Sequence, residues 1–489
     1  MSLSLESLPE IVARHVNNVE AIDVHTHLLP PTHAALLLYG VDELLTYHYL
    51  VAELFMVLPA VDSEEDSTSL PGKRDPPTPS PNEFFSWTKA QQADLVFDEL
   101  FVKRTPLSEA CRGVITALSA LGLGPLLREA RDAPAQGSAA PTTDATSSRL
   151  APLRAWFESQ PTDAHVERVF VNAKLKYAVM TNIPFAPEEA MHWFPSGNAA
   201  ESGVSSPSLP FVTPRLRPAL RVDPLLSADW PTLNATLRRA TPPYPPTCEG
   251  LRRFLKAWVQ RMQPLYLMAS TPAGFTYTPT PKPPPKRKRD DVVDSLFQQT
   301  TTKASSELPG ATALLEDVLI PTAVECSLAI ALKVGAVRGA NPALRTGGDG
   351  VEVADLSFVW QLCVRYPHVK FLLTVLSAVN QHELCVLARK FGNLHVYGCW
   401  WFCNNPSIID STTRMRLEML GTAFTCQHSD SRVLEQLLYK WRHSRQVIAP
   451  VLSEQYARLV ESGWEVTEAD VERDVQLLFG GAFEAFLAK

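Results

Sequence analysis

Short runs of aliphatic and β-branched residues alternate along this chain with stretches of helical periodicity. In the last third of the chain the order is strand, helix, strand, helix, which predicts an α/β fold with a parallel sheet, either half of a barrel or half of an open sheet. The strand candidates are residues 21–24, 177–181, 328–334, 370–375, 394–397 and 423–426. The helix candidates between the later strands are residues 355–365, 383–391, 412–420 and 432–441.

Three stretches interrupt this alternation and predict surface insertions. Residues 62–81, 132–148 and 276–306 are rich in Pro, Ser, Thr, Ala or charge and lack apolar periodicity. The third contains the basic run 283–289, which could be a nuclear localisation patch, but short basic runs are common in exposed loops. We therefore interpret this run as part of a solvated loop.

Composition narrows the classes of function. With 489 residues, of which 45% are hydrophobic, the chain can bury a large core. Its 45 basic and 52 acidic residues give a net charge of −7, which predicts neither a nucleic-acid partner nor an anionic membrane surface as partner. A small polar substrate fits this charge balance better.

Cysteine usage and the first residues of the chain predict a cytoplasmic location. The eight cysteines include no C-x-x-C pair and lie mostly within apolar runs, so we expect reduced core residues. The first residues contain no basic region followed by an apolar run, and no later segment has the length of apolar sequence that crosses a bilayer. We therefore expect neither a secretion signal nor a membrane span.

The first strand candidate ends in two histidines that could bind a metal ion. Side chains alternate along a strand, so His25 and His27 project to the same side at its carboxyl end. Two imidazoles in this arrangement suit one metal ion. In a chain with twelve histidines, however, such a pair also arises by chance, and two polar residues at a strand end are the simpler alternative.

A second candidate for chemistry follows the last strand candidate. Asp430 lies between the apolar run 423–426 and an amphipathic helix, on a strand-to-helix loop. In a (β/α)8 barrel the carboxyl ends of all strands meet at one mouth, which would bring Asp430 to His25 and His27. Two imidazoles and a carboxylate could hold Zn²⁺ or a similar ion and leave positions open for a substrate. Asp430 could equally cap the helix that follows it.

Together these residues resemble the uronate (glucuronate) isomerase family of the amidohydrolase superfamily. The resemblance covers most of the chain outside the three insertions, and its most specific part runs from residue 380 to residue 481. The segments that carry it are 22–28 (IDVHTHL), 45–53 (LTYHYLVAE), 179–185 (VMTNIPF), 219–224 (ALRVDP), 400–406 (WWFCNNP) and 429–432 (SDSR).

The resemblance implies a fold and a reaction. The fold would be a single catalytic TIM-type (β/α)8 barrel over residues 1–489, with helical additions and the surface insertions. The reaction would interconvert D-glucuronate and D-fructuronate, or D-galacturonate and D-tagaturonate, by moving a proton between C2 and C1 through a cis-enediol. The partner would be a small hexuronate, no organic cofactor would be needed, and a homo-oligomer is compatible with the family.

The resemblance also implies roles for individual side chains. Asp430 would be the base that reaches both carbons, and together with His25 and His27 it would bind a divalent metal, which the donor set suggests is zinc. Tyr49 would act in catalysis by exchanging a proton with a substrate hydroxyl. Each of these residues could instead have only a structural role.

Four further positions match substrate-binding residues of the family. His48 and Arg432 would hold sugar oxygens beside the reacting carbons and so take part in catalysis. Arg221 would bind the uronate carboxylate, because a guanidinium fork matches two carboxylate oxygens. Trp400 would form an apolar wall of the pocket.

Two positions depart from the family pattern. Lys333 lies two residues before Gly335, where many members have a histidine, so we do not expect a fourth metal ligand there. Ile183 replaces a polar residue in the turn after Thr181, so a polar contact is lost. Both changes predict a difference in metal affinity or substrate preference.

Two other functions compete with the isomerase. A hydrolase of the same superfamily would use the metal to activate water, with Asp430 as proton shuttle. A hydrolase of unrelated substrates has no need of the four sugar-acid residues His48, Tyr49, Arg221 and Arg432, which favours the isomerase. A non-catalytic uronate-binding relative is the other alternative, because Lys333, Ile183 and the insertions depart from the family.

Overall fold

Seven parallel strands stand at the centre of the computed structural model, which describes residues 3–59, 78–133, 148–194, 214–280 and 308–489. Each strand is hydrogen-bonded to the next in chain order. They are β1 (Ala21–Thr26), β2 (Leu175–Asn182), β3 (Leu216–Arg221), β4 (Tyr266–Ser270), β5 (Ala329–Val334), β6 (Phe371–Val375) and β7 (Leu394–Val396). A separate antiparallel pair, Ala336–Val337 with Gly350–Val351, follows β5.

The strands are apolar because both of their faces are covered. Every residue of β5 and β6 is buried, as expected for parallel strands with helices on one face and the barrel interior on the other. Their register brings polar side chains to one level at the carboxyl end. Lys333 of β5 pairs with Ser270 of β4 on one side and with Thr374 of β6 on the other.

The last strand of the ring is an irregular segment that follows β7. Thr425 forms a parallel bridge with Tyr397, and its N–H donates to the Val396 carbonyl at 3.0 Å. The Cys426 N–H, however, donates to the Leu478 carbonyl outside the sheet. The predicted strand 423–426 is therefore wrong as a regular strand, because its backbone is shared between the sheet and the C-terminal region.

The same segment joins the sheet back to β1. The His27 N–H donates to the Ser431 carbonyl at 2.7 Å, and the Asp430 N–H donates to the His25 carbonyl at 3.2 Å. These bonds close the ring on the far side from β7. The predicted (β/α)8 fold class is thereby confirmed.

Helices surround the sheet and connect its strands. Those that pack around the barrel are Leu8–Asn18, Thr162–Ala173, Trp230–Arg239, Cys248–Met262, Ser357–Arg365, Asn380–Ala388, Pro406–Leu420 and Gln436–Glu461. The long connection from β1 to β2 adds Val41–Leu45, His48–Val57, Pro81–Phe84, Lys89–Phe97, Glu109–Ala120, Gly124–Asp132 and Ala151–Glu158. The remaining helices are Pro187–Trp193, Asp223–Leu226, Ala311–Leu314, Ile320–Glu325, Glu468–Gln476 and Ala482–Ala488, with shorter turns at Pro31–Leu36, Asp98–Val102, Leu315–Leu319, Pro342–Gly348, Trp401–Cys403 and Leu477–Gly481.

The C-terminal helix fills the amino-terminal end of the barrel. Phe483 and Phe486 join the apolar cluster that Ile22 and Val24 form with the interior of the other strands. Gly480 permits this approach, because a Cβ atom there would lie 2.5 Å from Cβ of Ile22 and the backbone φ is +130°. This end of the barrel is a packed core, and the polar side chains lie at the other end.

The three predicted insertions lie for most of their length outside the described residues, and so does the basic run 283–289. Within the described ranges, no helix combines the length and the apolarity needed to cross a membrane. All eight cysteines are free thiols; six are buried as predicted, whereas Cys248 and Cys326 are only half-buried.

Candidate active site

A cleft at the carboxyl ends of the strands contains six of the residues predicted to act on substrate or metal. With its side chains in this arrangement the free space inside the cleft is small, about 20 Å³. The six residues are His27, His48, Arg221, Trp400, Asp430 and Arg432. The cleft is also lined by Ser270, Lys333, Arg338, Thr346 and Trp401, none of which the sequence predicted to act on substrate or metal.

His25, His27 and Asp430 converge although they come from opposite ends of the chain. The Oδ1 atom of Asp430 lies 3.0 Å from Nε2 of His25 and 3.4 Å from Nε2 of His27. One ligand atom from each residue lies within 4.8 Å of the other two, so the three side chains form a group that could hold a metal ion. The predicted proximity of these three residues is thus observed.

Lys333 reaches the same three residues from the end of β5. Its Nζ donates to Oδ1 of Asp430 at 2.7 Å and to Nε2 of His25 at 2.7 Å. The ammonium also lies 4.5 Å from the centre of the Trp400 ring, and the Lys333 side chain is only 3% exposed. An ammonium is therefore bound to two of the atoms that would ligate a metal ion.

The tautomer of His25 follows from its second hydrogen bond. Oγ1 of Thr181 donates its single hydrogen to the Thr26 carbonyl at 2.7 Å, so it accepts from Nδ1–H of His25 at 3.3 Å. Nε2 of His25 then carries the lone pair that accepts from Lys333. A neutral imidazole nitrogen has one lone pair, so in this arrangement the group does not fit a metal ion.

Burial and charge set the protonation of these groups. Burial lowers the pKa of His25 well below its ordinary value and lowers the pKa of His27 to about 3, so both imidazoles are neutral. Burial lowers the pKa of Lys333 to about 8, against the opposing charge of Asp430. Burial alone would raise the pKa of Asp430, but the charge of Lys333, together with the contact from His27, outweighs it and holds this pKa well below its ordinary value.

The cleft is strongly cationic. It is lined by four basic side chains, those of Arg221, Lys333, Arg338 and Arg432. Among the described residues, Asp430 supplies the one carboxylate of the lining. Low-dielectric walls strengthen the field of such a set of charges, which attracts anions. The site therefore suits a small ligand that carries a negative charge.

Arg221 is held in place by a neighbouring carboxylate. Its Nε and Nη2 atoms donate to Oδ2 of Asp223 at 2.9 and 2.6 Å, and Oδ1 of Asp223 accepts from the Ser270 N–H at 2.9 Å. One edge of the guanidinium is thus engaged within the protein. The Nη1–Nη2 end is the part that remains for a ligand carboxylate.

His48 and Tyr49 begin the helix His48–Val57 but lie in different surroundings. His48 lines the cleft, and its buried Nε2 has no hydrogen-bond partner among the described residues. Tyr49 lines an adjoining cleft with Glu109 and Phe402, and burial raises its pKa well above the ordinary value. His48 thus lines the same cleft as Asp430, whereas Tyr49 lines the adjoining one, and the two ring centres lie 4.7 Å apart.

Two non-glycine residues of the cleft have a left-handed backbone. Trp401 has φ +44° and Asp430 has φ +52°, a conformation that costs roughly 1–3 kcal/mol and is concentrated at functional sites. For Asp430 the cost is offset by the hydrogen bond of its N–H to the His25 carbonyl. With this backbone, the Asp430 carboxylate lies in the cleft beside His25 and His27.

Three solved structures of uronate or glucuronate isomerases are similar to this chain. No family model and no curated protein matches the chain. Among solved structures, a uronate isomerase from Bacillus halodurans is 37% identical over 100% of this chain and 98% of its own, with a TM-score of 0.79. A uronate isomerase from Thermotoga maritima is 15% identical over 100% of both chains, with a TM-score of 0.61. A glucuronate isomerase from Caulobacter crescentus is 15% identical over 98% of this chain and 94% of its own, with a TM-score of 0.62.

The last two likenesses show the fold alone, and they agree with the barrel described above. The first is similar in sequence over its full length, which confirms the predicted family. This chain belongs to the uronate isomerase family.

Proposed function

We propose that this protein is an aldose–ketose isomerase that interconverts a hexuronate and its ketose isomer. The pairs are D-glucuronate with D-fructuronate and D-galacturonate with D-tagaturonate. The observation that carries the proposal is one carboxylate, that of Asp430, in a cleft whose other charged groups are cations, in a chain of the uronate isomerase family. The cations suit the uronate carboxylate, and Asp430 suits the proton transfer.

The isomerisation moves one hydrogen from C2 to C1 and one from O2 to O1, so the composition of the sugar is unchanged. Asp430 takes the proton from C2 of the open-chain aldose, the C2–H electron pair forms the C1=C2 bond, and the C1 oxygen takes up a proton to give the cis-enediol. The O2 hydroxyl then loses its proton, C2=O forms, and Asp430 returns its proton to C1. One base on one face of the sugar can serve both carbons.

The other lining residues bind and orient the sugar. The free end of the Arg221 guanidinium, with Arg432 nearby, would hold the uronate carboxylate and adjoining oxygens by charge-assisted hydrogen bonds. His48, whose Nε2 is buried and unpaired within the described residues, would bond a sugar hydroxyl. Trp400 closes the cleft as an apolar wall. Tyr49 lines the adjoining cleft, so its direct contact with substrate stays a prediction.

The predicted zinc ion stays a prediction as well. His25, His27 and Asp430 could hold a divalent metal only if Lys333 gave up its hydrogen bond to His25. For this reason the steps above use side chains alone. The same observation weighs against a metal-dependent hydrolase, which needs the metal to activate water.

The location and assembly are proposals of the same kind. Eight free cysteines, most of them buried, support a reducing compartment such as the cytoplasm. The partner that we propose is a small anionic sugar. A homo-oligomer and the absence of nucleic-acid partners stay predictions from the family and from the charge balance.

Incubating the purified protein separately with D-glucuronate, D-galacturonate and D-glucose tests this function. We expect a ketose from at least one hexuronate and none from D-glucose, because the uncharged hexose lacks the carboxylate that the cationic cleft recognises. Ketose formation is followed by proton NMR, which also identifies the product. No ketose from either hexuronate would overturn the proposal.

A further inference from the structure

We infer that Lys333 supplies the positive charge that a metal ion would otherwise supply at His25, His27 and Asp430, and that the native chain therefore retains no metal ion there. The part of this inference that concerns metal binding stands on the geometry of the site. The part that concerns catalysis rests on the proposed isomerase function.

The ammonium uses the atoms on which metal binding depends. Nζ of Lys333 donates to Nε2 of His25 and to Oδ1 of Asp430, both at 2.7 Å. The same Oδ1 also lies 3.4 Å from Nε2 of His27, so it is the shared point of the group. A divalent ion bound to these atoms would lie within a few ångströms of the ammonium, where like charges repel strongly in a buried site.

The position of Lys333 is fixed rather than incidental. Its backbone is held by pairing of β5 with β4 and β6, at the level of Ser270 and Thr374. Its ammonium lies over the Trp400 ring at 4.5 Å, and the side chain is 3% exposed. A buried ammonium that left its partners would need others of equal strength, so release of the site to a metal ion is costly.

The same geometry gives the ammonium a task in the reaction. Two of its three N–H groups bind His25 and Asp430, and Lys333 lines the cleft, so the third can donate to a substrate oxygen. That oxygen would lie next to the carbon from which Asp430 takes its proton. A hydrogen bond from a cation stabilises the negative charge that develops on O1 or O2, which is the task of a metal ion in a Lewis-acid mechanism.

Metal content tests the inference without reference to activity. The full-length wild type, Lys333→Ala and Lys440→Met are equilibrated with Zn²⁺, gel-filtered and measured by elemental mass spectrometry. Lys440 is a matched control because it is another buried lysine, and its Nζ has no hydrogen-bond partner among the described residues. We expect about one zinc per chain in Lys333→Ala, as for a three-ligand site, and far less than one in the other two.

Two further variants locate the metal and guard against misfolding. Lys333→Ala combined with His27→Ala is expected to lose the zinc, and Co²⁺ added to Lys333→Ala is expected to give visible ligand-field absorption that the wild type lacks. If Lys333→Ala does not fold, as judged by circular dichroism, the wild-type measurements decide alone. About one zinc per wild-type chain that is lost on His27→Ala would overturn the inference.

An activity measurement tests the catalytic part. Wild-type isomerase activity is expected to survive dialysis against a chelator, whereas metal-free Lys333→Ala is expected to fall by about 10²-fold or more and to recover in part with Zn²⁺. Loss of wild-type activity on chelation would overturn this part. Absence of any isomerase activity in the untreated wild type would instead contradict the proposed function and leave the zinc contents to test the metal-binding part.

Discussion

Oδ1 of Asp23 accepts a hydrogen bond from the backbone N–H of Ser429 at 3.0 Å. Its Oδ2 accepts from Nε1 of Trp441 at 2.8 Å. Asp23 is completely buried, so one carboxylate joins β1, the loop that carries Asp430 and the helix Gln436–Glu461. The hydrogen bond to Ser429 lies one residue before Asp430 and helps to hold Asp430 in its left-handed conformation.

Asp23→Ala is expected to lower both stability and turnover. It leaves the Ser429 N–H and the Trp441 indole N–H buried without their acceptor, at a cost of about 1–3 kcal/mol each, measured by urea unfolding. Because Asp23 acts through the loop, kcat should fall more than KM rises, and Asp23→Asn should recover part of both losses. Asp163→Ala is the control: this aspartate is exposed in the first turn of the helix Thr162–Ala173, so its loss should leave kcat unchanged and cost less than about 1 kcal/mol of stability. A wild-type kcat in Asp23→Ala would rule out a positioning role.

Arg221→Lys is expected to weaken binding of the hexuronate. An ammonium cannot keep both bonds to Asp223 and also present a paired donor to a carboxylate. Loss of one charge-assisted hydrogen bond predicts a rise in KM of about tenfold or more, with a smaller change in kcat. Arg217→Lys is the matched control, since Arg217 lies on the same strand but its guanidinium stacks on Tyr177. An unchanged KM in Arg221→Lys would remove Arg221 from substrate binding.

Gly398→Ala is expected to destabilise the barrel mouth far more than Gly421→Ala. Both glycines have positive φ values, +62° and +60°, so an alanine is disfavoured by the backbone at either position. A Cβ atom at Gly398 would lie 1.6 Å from Nδ1 of His428, whereas at Gly421 no heavy atom of the described residues lies within 4 Å. The melting temperatures of the two variants are compared, and that of Gly398→Ala is expected to be the lower because of the clash with His428. Equal melting temperatures would show that the His428 ring is free to move away.

His395 predicts a loss of stability at acid pH. Burial, followed by the charges of Lys489 and Arg416, lowers the pKa of His395 to about 3, below its ordinary value of 6.5. The unfolded chain therefore binds a proton in this window that the folded chain does not, so the contribution is complete above pH 6.5 and is lost as the pH falls toward 3.

The comparison of the wild type with His395→Gln isolates this contribution. The stability advantage of the wild type should shrink on acidification by up to about 1.4 kcal/mol per pH unit. Urea unfolding of both proteins at several values between pH 7 and about pH 4 measures it. A difference between the two proteins that stays constant over this range would contradict the buried, neutral state of His395.

The sequence predicted the ends of the barrel better than its middle. β1, β2 and β5 to β7 were predicted from short apolar runs between helical stretches. β3 did not, because Arg217 and Pro218 interrupt its apolar pattern. β4 lacked a distinct signal as well, because a short apolar run cannot be told from a buried helix segment by periodicity. Ser270, at the end of β4, was missed for the same reason.

The convergence of His25, His27 and Asp430 was predictable because a barrel brings the carboxyl ends of its strands together. The part played by Lys333 was not. The sequence showed a missing ligand at that position, but the 2.7 Å contact with Asp430 depends on the curvature of the sheet and on a side-chain conformation. The position of Tyr49 in the adjoining cleft depends in the same way on how one helix is rotated, which no spacing reveals.

The proposed isomerisation depends on Asp430 acting as the base, and Asp430→Asn tests this role most directly. Asparagine keeps the size of the side chain but cannot take the C2 proton, so we predict ketose formation from the preferred hexuronate at least about 10²-fold slower than in the wild type, in a protein whose melting curve shows it to be folded. A rate equal to that of the wild type would contradict the account.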